Sequence, residues 1–218
     1  RGLKGTLCTI QLPACGDFSE TTIQADIPIP GKHMVYNALA GAYIGHLFGL
    51  SPEEIETGIH SLQPVTGRNH LIETDTLMIL DDCYNANPAS MRASLDVLAL
   101  ATGRRVAVMG DMKELGENEE QLHFETGEYA ARKGIDTIVC IGPLACQMYL
   151  GAKNLASGNT VLHYTGKKEF LHDLPSLFEA GDTVLVKASN SMKFSEIVEA
   201  LTEFEANTKD EIEKGAKQ

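Results

Sequence analysis

Apolar and polar positions follow two different rhythms along this chain. From about residue 67 onward, short apolar runs are each followed by a longer stretch with helical spacing. Thr76–Asp82, Arg105–Gly110, Thr137–Gly142, Val161–Tyr164 and Thr183–Lys187 read as buried strands. The intervening segments read as helices, from Pro88 to about Ala101, Glu119 to Arg132, Pro143 to about Leu150, Lys167 to about Ala180, and Ser191 to about Glu205. Short apolar strands alternating with helices predict an α/β fold with a mostly parallel, doubly wound sheet.

The first 66 residues differ. Two strand-like stretches, Thr6–Gln11 and Thr21–Ile27, flank a turn-prone segment around Gly16. A helix is expected from Lys32 to Phe48 and a shorter one from Pro52 to Leu62, with Ser51 as its N-cap. Two strands and two helices make a poor domain alone. Residues 1–66 are therefore expected to be the tail of a preceding domain, with Gln63–Gly67 as the hinge. Residues 67–207 are expected to form the α/β domain, and 208–218 an acidic, polar tail.

Composition narrows the class. The chain has 218 residues, 43% hydrophobic and 22% charged, enough for a substantial core. No apolar run approaches the length needed to cross a bilayer, so no membrane insertion is expected. The segment Arg1–Gly5 has neither an apolar stretch nor an initiator Met, so it does not resemble a signal peptide and reads as an internal cut. A net charge of −12 argues against a nucleic-acid surface, though local cations and backbone amides could still hold ATP. Part of that acidity lies in Glu203–Glu213, read as a solvated helix end or tail and not a binding arm. The five cysteines show no Cys-x-x-Cys pair, which suits reduced thiols and a cytoplasmic setting. The seven histidines show no metal-site spacing with them.

Five segments could carry chemistry. Asp81-Asp82-Cys83-Tyr84-Asn85-Ala86-Asn87-Pro88 ends a strand and opens a helix, with Asn87 suited to the N-cap and Pro88 to the first helical position. It reads either as a ligand loop at a strand's carboxyl end or as a well-capped βα turn. Asp81 and Asp82 point to opposite faces, so they form no catalytic dyad; one is expected to face the site and the other the scaffold. Within Pro30–Ala40, Met34 and Asn37 share one helical face, where an amide could read a base edge or cap the helix. His33 reads more simply as a core or capping residue. Arg68, beside Gly67, could reach a phosphate or be an ordinary surface arginine. Val108–Gly116 reads as a strand followed by a structural turn, without a dinucleotide-binding spacing. Lys187-Ala188-Ser189-Asn190-Ser191 could hold a carboxylate or cap the last helix. No Gly-x-x-x-x-Gly-Lys-[Ser/Thr] loop occurs.

Taken together, Pro30–Ala40, Gly67-Arg68, Asp81–Pro88, Gly110-Asp-Met-Lys-Glu-Leu-Gly116 and Val186–Ser189 resemble the Mur ligase family over about residues 30 to 201. The Tyr84–Pro88 loop, with the turn after Gly110, points to its D-alanyl-D-alanine-adding members. The resemblance implies a Rossmann-like C-terminal domain preceded by the end of a central ATPase domain. It implies a cytoplasmic, monomeric enzyme whose substrates are ATP, UDP-N-acetylmuramoyl-tripeptide and D-alanyl-D-alanine, joined through an acyl phosphate. It places the P-loop lysine and the Mg2+ ligands upstream, leaving no certain catalytic or metal residue here and an inactive fragment. Asn37, Arg68, Asp82, His33 and Met34 are implied on the nucleotide side, with the Met34 thioether against the purine. Tyr84, Asn85, Asn87, Lys187, Ser189 and Asn190 are implied on the substrate side. Met34, Ala188 and Asn190 depart from the family's usual Asn, Gly and Arg. Two other readings remain: another superfamily ligase such as a folylpolyglutamate synthase, against which the Tyr84–Pro88 loop argues, and a non-catalytic module that binds nucleotide or a partner.

Overall fold

A computed structural model describes residues 1–16, 18–155 and 158–203. The acidic tail expected at 208–218, and the end of the last helix, lie outside the described residues. The chain divides into two compact units, Arg1–Pro64 and Val65 onward.

In the first unit, β1 (Thr6–Leu12) pairs antiparallel with β2 (Thr21–Ile27), setting Thr6 opposite Ile27. Alternation puts Ile10, Leu12, Ile23, Ala25 and Ile27 in the core. They pack against Ala38 and Ala42 of α1 (Lys32–Leu47) and Ile55 and Ile59 of α2 (Pro52–His60). Ser51 caps α2 as expected: its hydroxyl accepts the Glu54 amide, and the Glu54 carboxylate accepts the Ser51 amide. The opposite side of α1 leaves Tyr36, Leu39, Tyr43, Ile44 and Leu47 exposed.

The second unit is a six-stranded sheet ordered β3-β4-β8-β5-β6-β7. Its strands are β3 (His70–Glu73), β4 (Met78–Asp81), β5 (Arg105–Gly110), β6 (Thr137–Ile141), β7 (Thr160–Tyr164) and β8 (Thr183–Lys187). All run parallel except β3, an antiparallel edge strand absent from the sequence reading. The helices are α3 (Pro88–Leu98), α4 (Glu119–Arg132), α5 (Ala145–Leu155), α6 (Lys167–Leu177) and the described residues 195–203, here α7. One strand face, with Val106, Val108, Val184 and Val186, packs against Phe170 and Leu174 of α6 and Ile197 and Leu201 of α7. The alternate set, including Ala107, Met109 and Leu185, is equally buried on the side of α3, α4 and α5. Burial on both faces is why these strands read as continuous apolar runs.

Four helix boundaries differ from expectation by three residues or more: α3 ends at Leu98 and not near Ala101, α7 begins at Ser195 and not Ser191, and α5 and α6 end elsewhere than expected. α5 runs five residues past Leu150 to Leu155. Gly151, a residue that often stops a helix, instead lets α5 approach α4: a Cβ there would lie 2.0 Å from the Phe124 carbonyl oxygen. α6 ends at Leu177 and not near Ala180, because Pro175 removes an amide donor and Phe178 turns extended into the core.

Candidate functional site

The chain enters the parallel sheet at β4, continues through β5, β6 and β7, and returns as β8 between β4 and β5. This is where strand order reverses, and in open α/β sheets ligands gather beyond the carboxyl ends of strands at such a point. The loops leaving β4, β8 and β5 line a cavity of about 510 Å³ with Tyr84–Asn87, Ser189–Ser191 and Lys113–Leu115. Of the residues the sequence placed on the substrate side, Tyr84, Asn85, Asn87, Ser189 and Asn190 meet here.

The lining is mostly polar and held from behind. Asn87 caps α3, its side-chain oxygen accepting the Ser90 amide at 2.8 Å, with Pro88 at the first helical position. Both assignments agree with the sequence. The Ser189 hydroxyl accepts the Lys113 amide at 2.8 Å, and the Ser189 amide donates to the Asp111 carbonyl at 3.1 Å. Ser189 therefore ties the β8 loop to the β5 loop; it makes no side-chain cap to the turn that follows. Asp111 is fully buried and accepts the Ala145 amide, which opens α5, at 2.8 Å. Its other oxygen lies 2.8 Å from the Lys113 ammonium. Beneath the same turn, Met112 donates its amide to Nε2 of the buried His123 at 2.9 Å. That bond requires the proton on Nδ1, which faces the Glu119 carbonyl at 2.6 Å. Burial, the largest influence, lowers the His123 pKa below its ordinary value.

Two expectations need correction. Asp81 and Asp82 do not divide between site and scaffold: both bind the scaffold. Asp81 accepts the Gly67 amide at 2.9 Å, and Asp82 accepts the Asn69 amide at 3.0 Å and the Ser94 hydroxyl. The reason is the edge strand β3, whose entry turn must be anchored to β4. Lys187 is also not open to a ligand. Its side chain is 2% exposed, and its ammonium is bound to Asp82 Oδ2 at 2.6 Å and the Asn85 carbonyl at 2.9 Å. Buried in an apolar strand, the charge needs these partners, so Lys187 shapes the Tyr84–Asn87 loop from beneath. Cys83 is likewise no nucleophile, because burial and the neighbouring Asp81 push its thiol up to about 12.

The Arg68 guanidinium lies over the Tyr84 ring, 4.0 Å from its centroid. Gly67, at φ +77°, presents its carbonyl to the Tyr84 amide at 2.9 Å; a Cβ there would crowd Tyr84 Cβ at 3.2 Å. In the first unit, the Asn37 amide reaches the Met34 sulfur at 3.5 Å, on the face the sequence predicted. His33 is partly buried near the start of the same helix. The residues that sequence reasoning missed are Lys113 and Glu114, which had been assigned to a structural turn. Their signal was position, since they follow β5 as the other loops follow β4 and β8.

An open α/β sheet with a polar cavity at its point of reversal is a fold class, and similarity supplies the family. The chain belongs to the Mur ligase family, matching its "Mur ligase, glutamate ligase domain" over residues 67–190. It is 39% identical over 180 residues to the UDP-N-acetylmuramoyl-tripeptide–D-alanyl-D-alanine ligase of Bacillus subtilis, covering 81% of this chain and 39% of that protein. The enzyme of the same name from Escherichia coli is 36% identical over 202 residues, covering 91% of this chain and 42% of that protein. In three dimensions the chain resembles MurF from Acinetobacter baumannii, with a TM-score of 0.77 and 29% identity over 90% of this chain and 43% of that one. It thus spans about two fifths of the length of these relatives.

Proposed function

We propose that this chain is the C-terminal part of an ATP-dependent amide ligase that adds D-alanyl-D-alanine to UDP-N-acetylmuramoyl-tripeptide in the cytoplasm, acting as a monomer. The observation that carries the reading is the cavity formed by the Tyr84–Asn87, Lys113–Leu115 and Ser189–Ser191 loops. Supporting it is the similarity to ligases of that name. Residues 1–64 are then the end of a central ATP-binding domain, and the exposed apolar side of α1 is the kind of surface a larger domain would cover.

In this reading ATP phosphorylates the tripeptide carboxylate, and the amine of D-alanyl-D-alanine displaces phosphate from the acyl phosphate. Such a transfer demands positioning and charge neutralisation more than a protein nucleophile. This chain's share is to hold and orient the amine substrate, through the amides of Asn85, Asn87 and Asn190 and the hydroxyls of Ser189 and Ser191. Asn37, with Met34, is assigned to the adenine, and Arg68, stacked on Tyr84, to the nucleotide. Asp82 and Lys187 act behind the surface, fixing the loop that carries Tyr84 and Asn85.

The transfer would also need Mg2+, which is commonly held by one or two carboxylates together with the substrate's phosphates; Asp81 and Asp82 are bound within the scaffold. Its ligands, and the P-loop, are assigned to the part of the longer protein outside this chain. The test is whether ATP turnover by the longer protein depends on both acceptor and amine.

A further inference from the structure

One wall of the cavity, Lys113–Leu115, is an irregular stretch between β5 and the short 3-10 turn at Gly116–Asn118. Glu114 sits there at φ +64°, a conformation that side chains other than glycine rarely adopt. Such a stretch keeps one shape only where its backbone donors are met from outside. Two consecutive amides are met by side chains. Lys113 donates to the Ser189 hydroxyl at 2.8 Å, from the β8 loop. Met112 donates to Nε2 of His123 at 2.9 Å, from α4.

His123 is fully buried, so it acts on the cavity only through what it holds. Its Nδ1 lies 2.6 Å from the Glu119 carbonyl, one turn back in α4, which orients the ring and leaves Nε2 as the acceptor. Burial favours the neutral ring that this role requires; Asp111 and Glu119 oppose that effect and Lys113 adds to it. The ring thereby joins a helix backbone to a loop backbone. α4 in turn lies against α5, where Gly127 meets the Met148 carbonyl. The loop borrows its rigidity from this helix pair. Without an acceptor at Nε2, the Met112 amide becomes a buried donor with no partner, and the loop must move to find one.

We propose that His123 is a positioning residue, which holds the Lys113–Leu115 wall through the Met112 amide in the shape that the amine substrate meets. The inference rests on the reading that the cavity takes that substrate, and it extends the site to a buried residue on a helix that does not line the cavity.

The experiment uses the full-length protein that carries this chain. His123→Leu removes the acceptor, whereas His123→Gln supplies a side-chain carbonyl in its place. His123→Leu should raise the KM for D-alanyl-D-alanine about tenfold, the effect of one unpaired buried donor, and leave the KM for ATP within about twofold. His123→Gln should recover most of the loss. In hydrogen exchange read by mass spectrometry, a peptide covering residues 111–116 should exchange faster in the Leu variant, with β6 unchanged. An unchanged KM for the dipeptide, an equal rise in both KM values, or a Gln variant as impaired as Leu overturns the proposal. So does faster exchange across the whole sheet, which would mean that His123 serves stability alone. Should the Leu variant not fold, His123→Asn, whose shorter amide reaches Glu119 but not Met112, takes its place with the same expected results. A wild type that does not use the dipeptide overturns the ligase reading, and the exchange at residues 111–116 then decides by itself whether His123 holds the loop.

Discussion

The Lys187 ammonium, at the end of β8, lies 2.6 Å from Asp82 Oδ2, just beyond the end of β4, and the lysine is buried while the Asp82 side chain is 16% exposed. The pair joins neighbouring strands beneath the loop that carries Tyr84 and Asn85. Removing one partner of a fully buried pair costs about 3–5 kcal/mol, and here the cost should lie towards or below the low end because water can reach part of Asp82. Lys187→Met should therefore lower stability by several times the effect of an exposed change such as Lys153→Met. Urea unfolding of the chain measures both, and equal midpoints would contradict the burial assigned to Lys187.

His123 gives the unit a pH dependence with a definite sign. Its folded pKa lies below the ordinary 6.5, because burial disfavours the cation. Stability is fully present above about 6.5, and is lost as pH falls from there towards the folded value, because the unfolded chain binds the proton first. The loss is at most ~1.4 kcal/mol per pH unit. Compared by urea unfolding at pH 7.5 and 5.5, the wild type should lose more stability than His123→Gln. Identical pH slopes would contradict it.

Gly127 and Gly151 let α4 and α5 meet backbone to backbone. A Cβ on Gly127 would lie 1.9 Å from the Met148 carbonyl oxygen. Gly127→Ala should therefore destabilise by at least ~1–3 kcal/mol through overpacking, although alanine ordinarily favours a helix. Gly58→Ala in α2, where a Cβ meets nothing within 4 Å, should be neutral or stabilising. Thermal unfolding of the two variants decides the matter, and similar shifts would refute the close approach.

The stack of Arg68 on Tyr84 links the residue assigned to the nucleotide with the cavity loop. Under the proposed ligase reading, Tyr84→Ala in the full-length protein should raise the KM for ATP by about two- to fivefold, the value of a partly exposed cation–π contact. Tyr84→Phe, which keeps the ring, should leave it near the wild-type value. A Phe variant as impaired as the Ala variant would mean that the stack does not position Arg68.

What the sequence disclosed and what it withheld divide by range. The Ser51 and Asn87 caps involve partners three residues away, so local spacing contains them. Four of the parallel strands, β4, β5, β6 and β8, are legible because burial makes them almost uniformly apolar, whereas the edge strand β7 is mostly part-buried and shows itself only through Val161-Leu162. β3 is not, since His70–Glu73 is a four-residue edge strand with partly buried positions and no clear alternation. The roles of Asp82 and Lys187 are set by a partner 105 residues distant, and no local pattern encodes that. Read locally, Lys187 looked like a ligand and Lys113 like part of a turn; the strand order exchanges their positions, burying one and bringing the other to the cavity.

The most direct measurement is ADP release by the full-length protein that carries this chain, with UDP-N-acetylmuramoyl-tripeptide and D-alanyl-D-alanine added singly and together. The account predicts sustained release only when both are present, and none from this chain alone. Release indifferent to either substrate would contradict it, leaving a family member whose substrates are different.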